Sequence, residues 1–178
     1  EQALAFARET EYPIIIKDAH SCSGKGVFRI DSQQRLEEFI RQIFSPTGYS
    51  NPANFCWIKD YLYAQEFIPD LGQDLRVIVI GGEVAAAYWR LAAAGNWKTN
   101  VGQGGAVSFE DVPPEALDTC RRLSAQLGFH WMSFDCVQLQ GRMFITEFSC
   151  NFGVKGPREA GIDIRRKQME QVHLTLSS

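Results

Sequence analysis

Apolar positions along this chain follow two spacings. Between residues 33 and 44 they recur at Leu36, Phe39, Ile40 and Phe44, the three-to-four rhythm of a helix with one buried stripe, and Asp31-Ser32 supplies its cap. Residues 1–9 share that spacing through Ala3, Leu4, Phe6 and Ala7. Short apolar runs bounded by turn residues predict strands instead: 13–17, ending on Lys17, a second around 27–30, and YLYAQEFIPD, which runs into Pro69. LRVIVIGGEVAAAYWRL reads as two strands around Gly81-Gly82, the clearest hairpin in the chain. PPEALDTCRRLSAQLG predicts a helix with proline near its start and Gly128 at its end, and the tail ends in another helix. SPTGYSNPANF and AAAGNWKTNVGQGGAVSFEDVP are turn-rich and predict loops. Helices mixed with antiparallel hairpins imply an α+β fold. No repeat, low-complexity tract, strand–GxGxxG–helix unit or Walker A pattern is present.

A further hairpin, FDCVQLQGRMFITEFSCN, carries an acid near each outer end, Asp135 and Glu147. A three-residue turn, Gln140-Gly141-Arg142, would put Val137, Leu139, Met143 and Ile145 on one face with both acids at its far end. A two-residue turn would send the acids to opposite faces. The coherent apolar face favours the longer turn. Like charges directly opposite destabilise a sheet, the more so beside apolar surface. Either one acid stays protonated or a cation sits between them. Two strands ending in water explain this stretch equally well.

The 178 residues are 45% hydrophobic and 22% charged, enough for one good core or two small lobes. A net charge of −3 gives no electrostatic reason to expect nucleic acid, and no window approaches a membrane span. The chain opens at Glu1 without an initiator methionine, as a cut or processed fragment would. Five cysteines, odd in number and with no C-x-x-C pair, fit a reducing compartment, and three scattered histidines argue against zinc.

Three other stretches bear chemistry. Lys17 closes a strand and is followed by Ser21, Cys22, Ser23, Gly24 and Gly26, small residues that let backbone N–H groups approach an anion. An ordinary glycine turn is the equal alternative. In AQEFIPD the backbone could meet a planar base, and Glu66 or Asp70 sugar hydroxyls, although most such segments are linkers. Arg90, Lys98 and Asn100 sit on or beside a glycine-rich loop where cations could neutralise a transferring phosphate, or simply be solvated.

In this order, YPIIIKDAHSCSGKGV, AQEFIPDLGQDLRVIVIGGEVAAAYWR, NWKTNVGQGG and FDCVQLQGRMFITEFSCNFG resemble the ATP-grasp superfamily over essentially the whole chain, in particular the RimK-type (ribosomal-protein glutamate ligase-like) carboxylate–amine ligases. The resemblance implies an α+β fold of two lobes clasping a nucleotide: residues 1–62 the smaller, with the phosphate loop, and 63–178 the larger. It implies that Lys17, Ser23, Gly24 and Gly26 bind phosphate, that Gln65, Glu66, Phe67 and Ile68 form the adenine hinge, and that Asp74 is an acidic nucleotide contact. Arg90, Lys98 and Asn100 become the transfer residues, and Asp135, Glu147 and Ser149 the Mg²⁺ ligands. Ser149 and Lys98 stand where the family usually carries asparagine and arginine, and Asn151 offers another oxygen two residues on. The family also has an N-terminal domain and a lysine-bearing strand ahead of the region matched. The implied activity is ATP- and Mg²⁺-dependent ligation of a small-molecule or peptide carboxylate to an amine or thiol through an acylphosphate, in the cytoplasm. An ATP-binding module without ligase activity is the alternative, and nucleic acid and membrane are not expected partners.

Overall fold

Residues 1–21, 24–54, 56–69, 71–99 and 105–177 are described by the computed structural model of the chain. It divides into two units, Glu1–Pro69 and Asp70–Ser178.

In the first unit, β1 (Ile14–Lys17) is the centre of a three-stranded antiparallel sheet, between β2 (Val27–Ile30) and β5 (Ala64–Glu66). Ile14 and Ile16 point to one face, where α1 (Gln2–Glu9) and α2 (Gln33–Ile43) bury Ala7, Leu36, Phe39, Ile40 and Ile43 with them. The Ser32 hydroxyl accepts from the Arg35 N–H and caps α2. Its stripe ends on Ile43; Phe44, expected there, is the C-cap and is 48% exposed. The span 45–55, expected to be loop, contains the short strand β3 (Tyr49–Asn51), which pairs with β4 (Cys56–Ile58). Because β5 hydrogen-bonds to β1, residues 64–66 belong to the first unit, and the division falls after Pro69 rather than after residue 62.

The second unit is built on one antiparallel sheet of order β10-β9-β6-β7-β8. β6 (Gln73–Ile80) and β7 (Glu83–Leu91) form the expected hairpin, and Gly81 and Gly82 both take positive φ at its turn. β8 (Ala106–Ser108) adds an edge strand where loop was expected. One face buries Leu75, Val77, Val79, Trp89, Met132, Phe134 and Cys136 beneath Ala116 and Cys120 of α3 (Pro114–Gln126). On the other, Ile78, Ile80, Ala86 and Tyr88 pack with Ile164 of α5 (Ile164–Ser177), which follows the short α4 (Lys155–Glu159). Further along that second face the side chains become charged, and this positions the candidate site.

The hairpin of β9 (Trp131–Leu139) and β10 (Arg142–Ser149) corrects the expected turn. Arg142 pairs with Leu139 across a two-residue turn, with Gln140 at φ 50° and Gly141 at φ 76°, a type I′ geometry matched to strand twist. That turn alone would separate the acids. A β-bulge between Ile145 and Glu147 absorbs Thr146, however, and restores Glu147 opposite Asp135. The Thr146 hydroxyl donates to the Asp135 carbonyl at 3.1 Å and holds the bulge.

Candidate functional site

Asp135 is the centre of the charged face. Directly opposite it lie Glu147 on β10 and Arg76 on β6, so all three side chains share one side of the sheet. Arg76 donates from Nε and Nη2 to the two Asp135 oxygens, each at 2.8 Å. Arg90 Nη2 adds a third bond to Asp135 Oδ2 at 2.7 Å. Arg90 also grips Asp74 with two nitrogens, Nε at 2.7 Å and Nη2 closer. Asp74, Arg90 and Asp135 are buried, whereas Glu147 is exposed.

Burial alone would raise the Asp135 pKa, but Arg76 and Arg90 more than offset this and hold it below the usual carboxylate range. The Arg90 guanidinium is kept charged by Asp74 and Asp135 against its own desolvation. Burial lowers the pKa of Lys98, whose ammonium lies 5.3 Å from the Trp97 ring centroid.

Asp74, expected to contact nucleotide, has both oxygens committed to Arg90 and so orients that guanidinium. The Ser149 hydroxyl donates to the Asn151 carbonyl at 2.9 Å and accepts from the Asn151 N–H at 3.1 Å, leaving one lone pair for any further partner. Asn100 and Ser23 lie outside the described residues.

The remaining candidates lie in the first unit. Lys17 ends β1 opposite Val27, and Gln65 and Glu66 sit on the adjacent β5, opposite Ile15 and Ile14. Phe67 and Ile68 follow directly, and the Arg29 guanidinium stacks 4.5 Å from the Phe67 ring centroid. The loop from Lys17 to Val27 is closed by Asp18, whose N–H donates to the Gly26 carbonyl at 2.8 Å. A Cβ on Gly26 would lie 2.7 Å from the Asp18 Cβ, so only glycine fits there without a shift. Gly24 takes φ 70°, the left-handed region that favours glycine.

Asp18 is a site residue that the sequence reading missed. Its buried carboxylate accepts from the His20 N–H and the Tyr61 hydroxyl, each at 2.9 Å, and from the Trp57 N–H at 3.3 Å. Nothing local marks an aspartate in a loop as such an anchor. Burial would raise its pKa, but these bonds and one from the Cys56 thiol hold it below the ordinary 3.8. The Cys56 thiol is pushed up to about 12 by burial and by Asp18. A depressed carboxylate contributes stability above its unfolded pKa and loses it as pH falls through the folded one. Asp18→Asn is therefore expected to cost about 1–3 kcal/mol at neutral pH. In urea titrations its deficit against wild type should shrink as pH falls from about 5 to about 3. A deficit independent of pH would remove the charge from this account.

Arg76 was also missed, yet it left a signal. Asp74 and Arg76 alternate with Leu75 and Val77 inside an apolar strand, and charges so placed are rarely buried unless paired.

Two opposed carboxylates are hard oxygen donors of the kind Mg²⁺ accepts together with phosphate and water, so the residue types fit that ion. Among the described residues no three His, Cys, Asp or Glu side chains gather to hold a metal, and no described helix is long and apolar enough to cross a membrane.

Two lobed α+β units and this charged sheet face define an ATP-grasp fold. A crystal structure of a RimK-domain ATP-grasp protein from Sphaerobacter thermophilus superimposes with a TM-score of 0.62 at 16% identity, covering 96% of this chain and 55% of that one. The RimK-like ATP-grasp domain model matches residues 1–172, and the chain belongs to that family. Similar proteins include a probable alpha-L-glutamate ligase of Parasynechococcus marenigrum, 27% identical over 92% of this chain and 33% of its own length. The ribosomal protein bS6–L-glutamate ligase of Salmonella paratyphi B is 25% identical over 90% of this chain. The chain spans a third to a half of the length of these relatives.

Proposed function

We propose that this chain is the nucleotide-binding and phosphoryl-transfer part of an ATP-dependent carboxylate–amine ligase. The observation that carries the reading is the pair Asp135 and Glu147, opposed on one sheet face beside Arg90 in a chain of the RimK-like family. In the first unit, Lys17 and the N–H groups of the loop through Ser23, Gly24 and Gly26 hold phosphate, and residues 65–68 hold the adenine. In the second, Arg90, aimed by Asp74, and Lys98 with Asn100 face the transferring phosphoryl group. Mg²⁺, held by Asp135 and Glu147 with Ser149 or Asn151 as a further oxygen, would neutralise phosphate charge.

The substrate carboxylate attacks the γ-phosphorus, the bond to the β-phosphate oxygen breaks and ADP leaves. An amine then attacks the carbonyl carbon of the acylphosphate, phosphate departs, and the nitrogen loses its proton. The protein's part is positioning and fixed charge. The names of its relatives make an amino acid, glutamate first, the amine to try.

Calorimetric titration of ATP with and without Mg²⁺ tests the reading. Binding should depend on Mg²⁺ in the wild type and lose that dependence in Glu147→Gln, whose exposed position spares the fold. ATP affinity indifferent to Mg²⁺ in both proteins would sink it. The engaged hydroxyl of Ser149 favours a second reading, an ATP-binding module without ligase activity. That reading requires ATP binding with no ADP release across a panel of acids and amines.

A further inference from the structure

The charged face holds three carboxylates, Asp74, Asp135 and Glu147, against two guanidiniums, Arg76 and Arg90. Arg90 divides its bonds between Asp74 and Asp135, whereas Arg76 gives both of its bonds to Asp135. Asp135 therefore accepts three charge-assisted bonds, all from the side away from Glu147. A carboxylate offers about four lone-pair positions, so one remains. A cation between Asp135 and Glu147 would meet two acids and, just behind them, two fixed positive charges. At such short range in a partly buried place this repulsion is large.

Arg76 is held to this geometry from both sides. Across the sheet it lies opposite Asp135 on β9 and Tyr88 on β7. Tyr88 is almost fully buried and abuts Gly156, where a Cβ would come within 2.8 Å of its hydroxyl. The Arg76 side chain is 17% exposed, so water screens it little.

We propose that Arg76 is a selectivity residue that makes the Asp135–Glu147 pair refuse a free divalent cation and accept one only together with the nucleotide's phosphates. The inference rests on the reading of those two acids as the metal carboxylates. The negative charge of a triphosphate offsets the two arginines and restores the attraction for the metal. Replacing Arg76 by a neutral side chain removes one repelling charge and frees lone pairs on Asp135. The pair then becomes an ordinary two-carboxylate cation site that needs no nucleotide.

The test is titration of the whole chain with Mn²⁺, following free Mn²⁺ by electron paramagnetic resonance, without nucleotide and then with a non-hydrolysable ATP analogue. Wild type should leave Mn²⁺ free without nucleotide and, with the analogue, should take up more Mn²⁺ than the same concentration of analogue binds without protein. Arg76→Gln should take up one Mn²⁺ per chain without nucleotide, with affinity at least about tenfold above wild type. Arg76→Lys, which keeps the charge, should behave as wild type, and Arg76→Gln/Glu147→Gln should lose the site. A folded Arg76→Gln that binds no Mn²⁺ overturns the proposal. So does nucleotide-independent binding in wild type, an arm that decides even if Arg76→Gln does not fold. If wild type binds Mn²⁺ neither alone nor with the analogue, the ligase reading fails, while the nucleotide-free comparison of Arg76→Gln with Arg76→Lys still judges the role of Arg76.

Discussion

Arg90→Leu is expected to destabilise the second unit by about 3–5 kcal/mol. Arg90 is 4% exposed and bridges two buried acids, Asp74 and Asp135. The cluster of Asp74, Asp135, Arg76 and Arg90 need not stabilise the fold relative to apolar residues of the same volume, because bringing its four charges out of water costs about what their attraction returns. Removing Arg90 alone is different. It strips Asp74 of the guanidinium that takes both its oxygens and leaves it beside an Asp135 still held by Arg76, in a place poor in water where an uncompensated carboxylate is costly. Arg90→Lys should recover part of the loss, since an ammonium keeps the charge but cannot span Asp74 and Asp135 with a planar fork. Asp74→Leu together with Arg90→Leu should be less damaging than Arg90→Leu alone. Urea unfolding followed by circular dichroism reads all three, and a loss below about 1 kcal/mol for Arg90→Leu would mean that water reaches this face.

Lys17→Met is expected to do the opposite, weakening ATP binding roughly 10- to 100-fold while changing stability by less than about 1 kcal/mol. Lys17 is the last residue of β1, half-buried, and its backbone N–H donates to the Tyr63 carbonyl whatever the side chain is. Methionine keeps the apolar stem and loses only the ammonium. A charge-assisted bond to phosphate contributes about 1.5–3 kcal/mol, which sets the expected fold-change. Calorimetry with ATP and thermal melting on the same samples separate the two effects. An unchanged ATP affinity would remove Lys17 from the phosphate site.

Much of the fold was legible because its signals are local. The helical stripe from Leu36, the Gly81-Gly82 turn and the proline and glycine around α3 each follow from rotamer, φ or hydrogen-bond preferences of a few neighbouring residues. The ordered motifs from Lys17 to Glu147 likewise lie in the chain as text, and the family match covers them. The short strands β3 and β8 were not legible, because three residues in a polar segment become a strand only when a neighbouring edge supplies their partners.

Sequence by itself determined the α+β class and the family, and it pointed to the opposition of Asp135 and Glu147 only through a turn one residue longer than the real one. It did not determine how that opposition arises. The I′ turn follows from Gln140-Gly141, and the bulge at Thr146 that corrects its register is stabilised by contacts across strands. Only the tertiary structure decided that Asp135 is held by Arg76, 59 residues away, and by Arg90, 45 residues away. It alone decided that Asp18 anchors the glycine loop through Tyr61 and Trp57. The physical reason is the same in each case. A turn or a helix is specified by adjacent residues, whereas the partner of a buried charge is specified by whichever strand the sheet sets beside it.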